Sequence, residues 1–237
     1  PCRRDQTCVP AMGRRPTGNV PQRAADPGDG SCASIGWSGG GVGARGRHME
    51  SPGSPPPTSA GSAPRLAPTT AAERDDETNA LVDALGGLNI FATLAHHPKA
   101  LKRWLVFGGH VLAKSTLPER ERELLILRVG WRCGSEYEFG QHTVIGRRAG
   151  ITDDEVRRLT TDDLAGWSDD DALWVRAADE LVADHRIGDD TWAALAERLT
   201  DQQIIDLLFT VGQYVLVSMA LNTLGVERDE GAPGWPA

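Results

Sequence analysis

Three ionisable side chains stand in apolar, helix-forming sequence between residues 117 and 150, LPERERELLILRVGWRCGSEYEFGQHTVIGRRAG: Glu123, Glu138 and His142. Glu138 and His142 are four apart, so on a helix over 135–149 both project from one face within hydrogen-bonding reach. A carboxylate beside an imidazole is a proton-transfer pair. Glu123 precedes an apolar block that draws its carboxylate inward, and uncompensated burial turns a carboxyl group into a proton donor near neutral pH. Two structural alternatives compete with this chemistry. Arg120 and Arg122 are at hand to pair with Glu123. Ser135 and Glu138 also have the spacing of a capping box, which would do no more than close a helix N-terminus.

The elements that must position these groups read as helical from about residue 76 onward. Apolar residues recur at three- and four-residue spacing, and the alternation expected of strands is missing. The pattern predicts helices over 77–85, from Asn89 to a break at His97-Pro98, and over 99–112. The break follows because a residue before proline disfavours the α region. A helix over 118–132 opens with Pro118 in its first turn and Glu119 and Glu121 at its positive end. Gly134 turns the chain into the helix over 135–149, which Gly150 ends. Thr152 with Glu155 reads as a capping box for a short helix over 152–159. Further helices are expected over 168–185, after a cap at Asp189 or Asp190, and over 201–224. The last is apolar nearly all round and is expected in the core or at a subunit interface. The fold class is therefore all-α, with six to eight helices and no sheet.

Residues 1–72 differ in composition. They are rich in Gly, Pro, Ser, Ala and Arg, and a segment with so little apolar periodicity cannot offset its ordering entropy, so a disordered tail is expected. Residues 1–70 hold eight Arg and four acids, a net charge of +4, against −8 for the whole chain of 237 residues. The arginines are scattered without interleaved aromatics, which does not suit a nucleic-acid surface. Met49 is a candidate true start. Three of the four cysteines, Cys2, Cys8 and Cys32, lie in this tail and only Cys133 lies beyond it, so no disulfide framework is expected. No apolar leader or membrane span is read from the sequence, which points to a cytoplasmic protein. Two ligands on one helix, Glu138 and His142, are too few for a metal site. Neither GxGxxG nor a Walker A pattern occurs, so no metal and no cofactor is expected.

The motifs LPERERELLILRVGW, YEFGQH, AGITDDEV and VGQYVLVSMALNTLGV, in that order, resemble the carboxymuconolactone decarboxylase family over about 94–227. That family shares an all-helical fold with the AhpD-type alkylhydroperoxidases. The resemblance implies a helical domain over 73–230 followed by a short disordered end, 231–237. It also implies a homo-oligomer, trimer or hexamer, with a small-molecule pocket between helices to which a subunit boundary contributes. The peroxidase branch carries CxxCxxxH with an upstream glutamate. Aligned on His142, its two cysteines fall on Ser135 and Glu138 and its glutamate on Glu123, so both redox sulfurs are missing. A dithiol cycle needs an attacking and a resolving thiol.

The resemblance therefore points to the decarboxylase-like branch, a cofactor-free carbon–carbon lyase with Glu123, Glu138 and His142 as its catalytic residues. His142 as imidazolium would donate a proton or bind an oxyanion, Glu138 would orient it, and Glu123 would complete the relay. Two further readings stay open. One is a catalytically silent helical oligomer that binds a small molecule or partner, and the other is peroxide reduction by the single thiol of Cys133. Among the aromatics, Tyr137 is the nearest pocket candidate because it adjoins the pair.

Overall fold

The structure, a computed structural model, describes residues 63–236. Most of the expected tail, with Cys2, Cys8, Cys32 and Met49, lies outside the described residues, and nothing structural attaches to it. Among the described residues a 3-10 turn at Ala71–Glu73 is followed by nine α-helices: α1 (Asp76–Ala84), α2 (Asn89–Leu94), α3 (Pro98–Ala113), α4 (Glu119–Arg132), α5 (Glu136–Arg148), α6 (Asp153–Arg158), α7 (Asp169–Asp184), α8 (Asp189–Ala196) and α9 (Asp201–Leu224). The all-α class holds. The count exceeds six to eight, although each of the nine falls on a segment read individually as helical, the short α2 and α6 included.

Helix α4 is the axis of the fold, buried from Arg122 to Trp131 and packed against α5, α7 and α9. One side carries Leu125, Ile126 and Val129 into a core shared with Trp174 and Ala177 of α7 and with Leu207, Val211 and Val217 of α9. The other side carries Leu124, Leu127 and Trp131 against Phe139, Ile151, Val156 and Leu159. A helix that is apolar on two sides has no solvent face, and each such side chain contributes about 1.5–3 kcal/mol on burial. Arg128 interrupts this apolar stretch, yet it is fully buried. Its Nε and Nη2 donate to Asp179 at 2.7 and 2.8 Å, and its Nη1 donates to the carbonyls of Leu159 and Thr161. That fork ties α4 to α7 and to the end of α6, so Arg128 is a structural pin.

The termini of the described chain depart from expectation. Residues 63–72 were assigned to the disordered tail. Instead the backbone N–H groups of Arg65 and Leu66 donate to the Leu224 carbonyl, and Thr69 donates through N–H and hydroxyl to the Ala92 carbonyl. The end 231–237 was also expected to be disordered, but Trp235 packs 5.1 Å from Trp131 and 5.0 Å from Phe139, ring centre to ring centre. Composition misled in both places because these segments are held by backbone hydrogen bonds and a single aromatic, neither of which shows as periodicity.

Candidate active site

Helices α4 and α5 run close together because small residues face the contact. A Cβ on Gly146 would stand 3.1 Å from Ile151 Cδ1, 3.3 Å from Leu127 Cδ1 and 3.7 Å from Glu123 Cβ. A Cβ there would press on the ends of the Ile151 and Leu127 side chains, so glycine eases the approach of α5 to α4 beside Glu123. His142, one turn earlier on α5, therefore reaches Glu123 across the helix pair. Its Nδ1 lies 2.6 Å from Glu123 Oε2, and its Nε2 lies 2.9 Å from Glu138 Oε1. The three residues singled out by sequence thus form one buried cluster, with Glu123 at 0 %, Glu138 at 4 % and His142 at 5 % exposure.

Both competing readings are resolved by this geometry. Ser135 does precede α5, but its side chain makes no cap hydrogen bond, and its hydroxyl is buried without a partner. Glu138 reaches down its own helix to His142 instead of back to the N-cap, so no capping box forms. Glu123 does pair with an arginine: Arg122 donates Nε and Nη2 to Oε1 at 3.1 and 3.0 Å, while Oε2 is left for His142. Arg120 is engaged elsewhere, with Asp171 and Glu155. Burial of Glu123 is therefore compensated from both sides, unlike the uncompensated burial that the sequence suggested.

The charge rests on the imidazole. Burial by itself would push the His142 pKa down, but the charges of Glu138 and Glu123, with their hydrogen bonds, outweigh it and raise the pKa to about 10. His142 is thus an imidazolium across neutral pH, with each N–H directed at a carboxylate. Arg122 and His142 face Glu123 and Glu138, two basic groups for two acids, which is what permits four such side chains in a dry helix interface.

Tyr214 of α9 completes the surround, its ring 4.8 Å from the His142 ring at 81°, edge to face. Burial first, and then the charges of Glu138 and Glu123, raise its pKa well above the ordinary tyrosine value, so the phenol keeps its proton. Sequence reasoning missed Tyr214. The available signal was its place in the polar series Thr210, Gln213, Tyr214 and Ser218 along one side of an otherwise apolar helix.

Tyr137, the expected pocket aromatic, turns away from the pair. Its hydroxyl donates to Asp229 Oδ2 at 2.5 Å and receives the Ile90 N–H at 3.4 Å. Cys133 is no better placed. It follows α4, ten residues and about 15 Å along the helix from Glu123. Burial raises its thiol pKa, with the Ser218 hydroxyl a smaller opposing influence. Of the two adjacent histidines, His96 contacts the Ala67 carbonyl at 3.0 Å and His97 precedes α3 as its N-cap. Among the described residues no group of three His, Cys, Asp or Glu side chains is arranged to hold a metal ion.

An all-helical domain whose central helix pair clamps an imidazolium between two glutamates defines the class. Comparisons with known proteins then show what it is similar to. The sequence profile of the carboxymuconolactone decarboxylase family matches residues 98–178, which include α4, α5 and all three cluster residues. Residues 98–178 are thus similar to the carboxymuconolactone decarboxylase family, and the fold is AhpD-like. A search of curated proteins finds no match.

Among solved structures, the AhpD-core, peroxidase-related protein of Ralstonia eutropha JMP134 superposes with a TM-score of 0.59 at 18 % identity, covering 72 % of this chain and 95 % of its own. A peroxidase-related protein of Silicibacter sp. TM1040 gives 0.60 at 16 % identity, with 72 % and 96 % covered. The debrominase Bmp8, in an alanine-for-cysteine form bound to 2,3,4-tribromopyrrole, gives 0.56 at 10 % identity, with 70 % and 91 % covered. At these identities the likeness is one of fold.

Proposed function

We propose that the chain is a cofactor-free acid–base enzyme of the carboxymuconolactone decarboxylase type, acting on a small carboxylated or lactone-like substrate. The observation that carries this reading is His142, held as an imidazolium between Glu123 and Glu138 with no thiol beside it among the described residues. Loss of CO2 from a carboxylated lactone breaks one carbon–carbon bond and leaves its electron pair delocalised onto the lactone carbonyl. The resulting dienolate must be protonated at carbon. A carbon acid next to a lactone carbonyl is far weaker than an imidazolium, so a group with a pKa of about 10 is acid enough to deliver the proton. It also stays charged at neutral pH.

Roles follow from the distances. Glu123 makes the shorter contact, 2.6 Å to Nδ1, and is itself held by Arg122, so it fixes the ring. Glu138 is at 2.9 Å from Nε2 and is the less enclosed of the two acids. The proton leaves Nε2 through Glu138 to the substrate carbon, and water returns it by the same path. Glu138 sits in the first turn of α5, where the helix dipole favours the negative charge left behind. Tyr214 holds the ring edge.

The enclosure of the cluster, at most 5 % exposed, favours a second reading in which the same triad is a structural ion cluster in a silent binding protein. One assay separates the two. Purified protein is given 4-carboxymuconolactone and CO2 release is followed, beside His142→Asn and Glu138→Gln. Release that falls at least about 100-fold in both variants, a magnitude typical of lost acid–base catalysis, is the expected result. Equal release in folded variants, or none from the parent protein, rejects the relay on this substrate.

A further inference from the structure

Two side chains on the inner side of α9 are buried without a partner. Thr210 is 0 % exposed and Gln213 4 %, yet neither Thr210 Oγ1 nor Gln213 Oε1 has a hydrogen-bond partner among the described residues. Leaving such groups unpaired opposes folding, and a native structure that keeps them calls for a reason. Tyr214, one turn after Thr210 and next to Gln213, is the residue whose ring meets His142. The unpaired groups therefore belong to the same turn of helix as the contact with the imidazolium.

The register between α4 and α9 places them more closely. At one end Thr116 donates N–H and hydroxyl to Asp206 Oδ2 at 2.6 and 2.8 Å, and at the other Asn222 Nδ2 donates to the Cys133 carbonyl at 2.8 Å. The two helices thus run side by side in the same direction. Gln213, seven residues beyond Asp206, stands level with Glu123, seven beyond Thr116. Opposite Gln213 is α3, where a glycine makes the room: a Cβ on Gly108 would stand 3.3 Å from Gln213 Nε2 and 3.9 Å from Trp104 Cε2. Helix α3 is also the wall most able to move, since only Leu101 and Val111 of its 16 residues are buried, and few buried contacts mean low local stability. A small molecule that reaches Gln213 between α3 and α9 arrives beside the cluster.

We infer that Gln213 and Thr210 recognise the substrate of this site, and that the substrate is a small carbonyl compound carrying its own hydrogen-bond donor, such as a hydroxyl on a lactone ring. Gln213 Oε1 can only accept, so it takes an O–H or N–H from the ligand, while the Thr210 hydroxyl donates to the ligand's carbonyl oxygen. Both side chains are neutral, which suits an uncharged headgroup held next to two acids already paired with Arg122 and His142. The inference rests on the reading of that cluster as the reacting centre, although its test needs binding alone.

The probes are α-hydroxy-γ-butyrolactone, which has both donor and carbonyl, and γ-butyrolactone, which has the carbonyl without the donor. Each is titrated into the full chain while the Gln213 side-chain amide is followed by nitrogen-15 NMR, its signal assigned by its loss in Gln213→Met. The hydroxylated lactone is expected to bind about tenfold more tightly, as one added hydrogen bond gives. In Gln213→Met that difference is expected to disappear. The same variant without ligand is expected to melt roughly 2–4 °C higher, because an apolar side chain of equal length replaces an unpaired polar one. Thr210→Val is expected to weaken both lactones together without lowering the melting temperature. Equal binding of the two lactones, binding of neither, or a Gln213→Met protein that melts lower overturns the inference. Binding of the hydroxylated lactone at Gln213 with no CO2 released from 4-carboxymuconolactone sustains it and rejects only that substrate.

Discussion

At the scale of single residues, the cluster is governed by one cation shared between two acids. Its proton is bound more tightly in the folded protein than in the unfolded chain, since the His142 pKa rises from 6.5 to about 10. A raised histidine pKa contributes stability that is fully present below the unfolded value and is lost as pH climbs through the folded one. The urea midpoint is therefore expected to fall between about pH 6.5 and pH 10, by an amount worth at most about 5 kcal/mol. In His142→Asn that part of the decline should vanish. Parallel pH profiles for the two proteins would show that His142 is not the shared cation. The sequence announced Glu138 and His142 through their i,i+4 spacing. It did not announce the bond from Glu123 to His142, which joins residues 19 apart in the chain and exists only because two helices lie side by side.

At the scale of elements, α5 is held on two sides, by α4 through the glycine contact and by the C-terminal segment. Asp229 accepts hydrogen bonds from the Asn89 backbone, the Tyr137 hydroxyl and the Gln141 amide. Further along, the Pro233 carbonyl lies against Gly140 so closely that a Cβ there would overlap it. Gly140→Ala is thus expected to lift residues 230–236 from α5, with about 1–3 kcal/mol of destabilisation as for an overpacked contact. Amide hydrogen exchange should rise over that segment while α4 stays protected. Unchanged exchange there would mean the carbonyl moves aside without cost. Helix positions were readable because periodicity and caps are local: Thr152 with Glu155 and Thr200 with Gln203 both form capping boxes. Ser135 with Glu138 has the same type of spacing and forms none, because His142 offers Glu138 the stronger, charged partner.

At the scale of the whole molecule, the described chain is closed at both ends by its own terminal segments. Residues 65–69 fasten the end of α9 to α2 through the Leu224 and Ala92 carbonyls. A protein beginning at Asp75 is expected to melt roughly 5 °C below one beginning at Ala63, the loss of about 2 kcal/mol of hydrogen bonding in a domain of this size. Equal melting temperatures would make the segment an ornament. Helix α9 alone among the described helices is long and apolar enough to cross a bilayer, with a mean hydropathy of 1.8, yet 56 % of that stretch is buried inside the fold. The same helix presents Tyr214 to the cluster on its inner side and Leu216 and Met219 to the outside on its other, so core, site and surface share one element.

The sequence alone determined what depends on neighbours along the chain. That includes the all-helical class, most helix limits, the family resemblance, the missing redox thiols, and the three residues whose polarity clashes with their surroundings. Tertiary structure decided everything that depends on distance through space. It made Glu123 an anchor held by Arg122, brought Tyr214 to the imidazole, and turned Tyr137 away toward Asp229. It also gave the two supposedly loose ends of the domain definite places. The physical reason is one of range. Helical periodicity and capping are set by interactions within about four residues. A buried ion cluster is set by how closely two helices can approach, and that approach is eased by glycines such as Gly130, against Phe139, whose neighbours lie elsewhere in the chain.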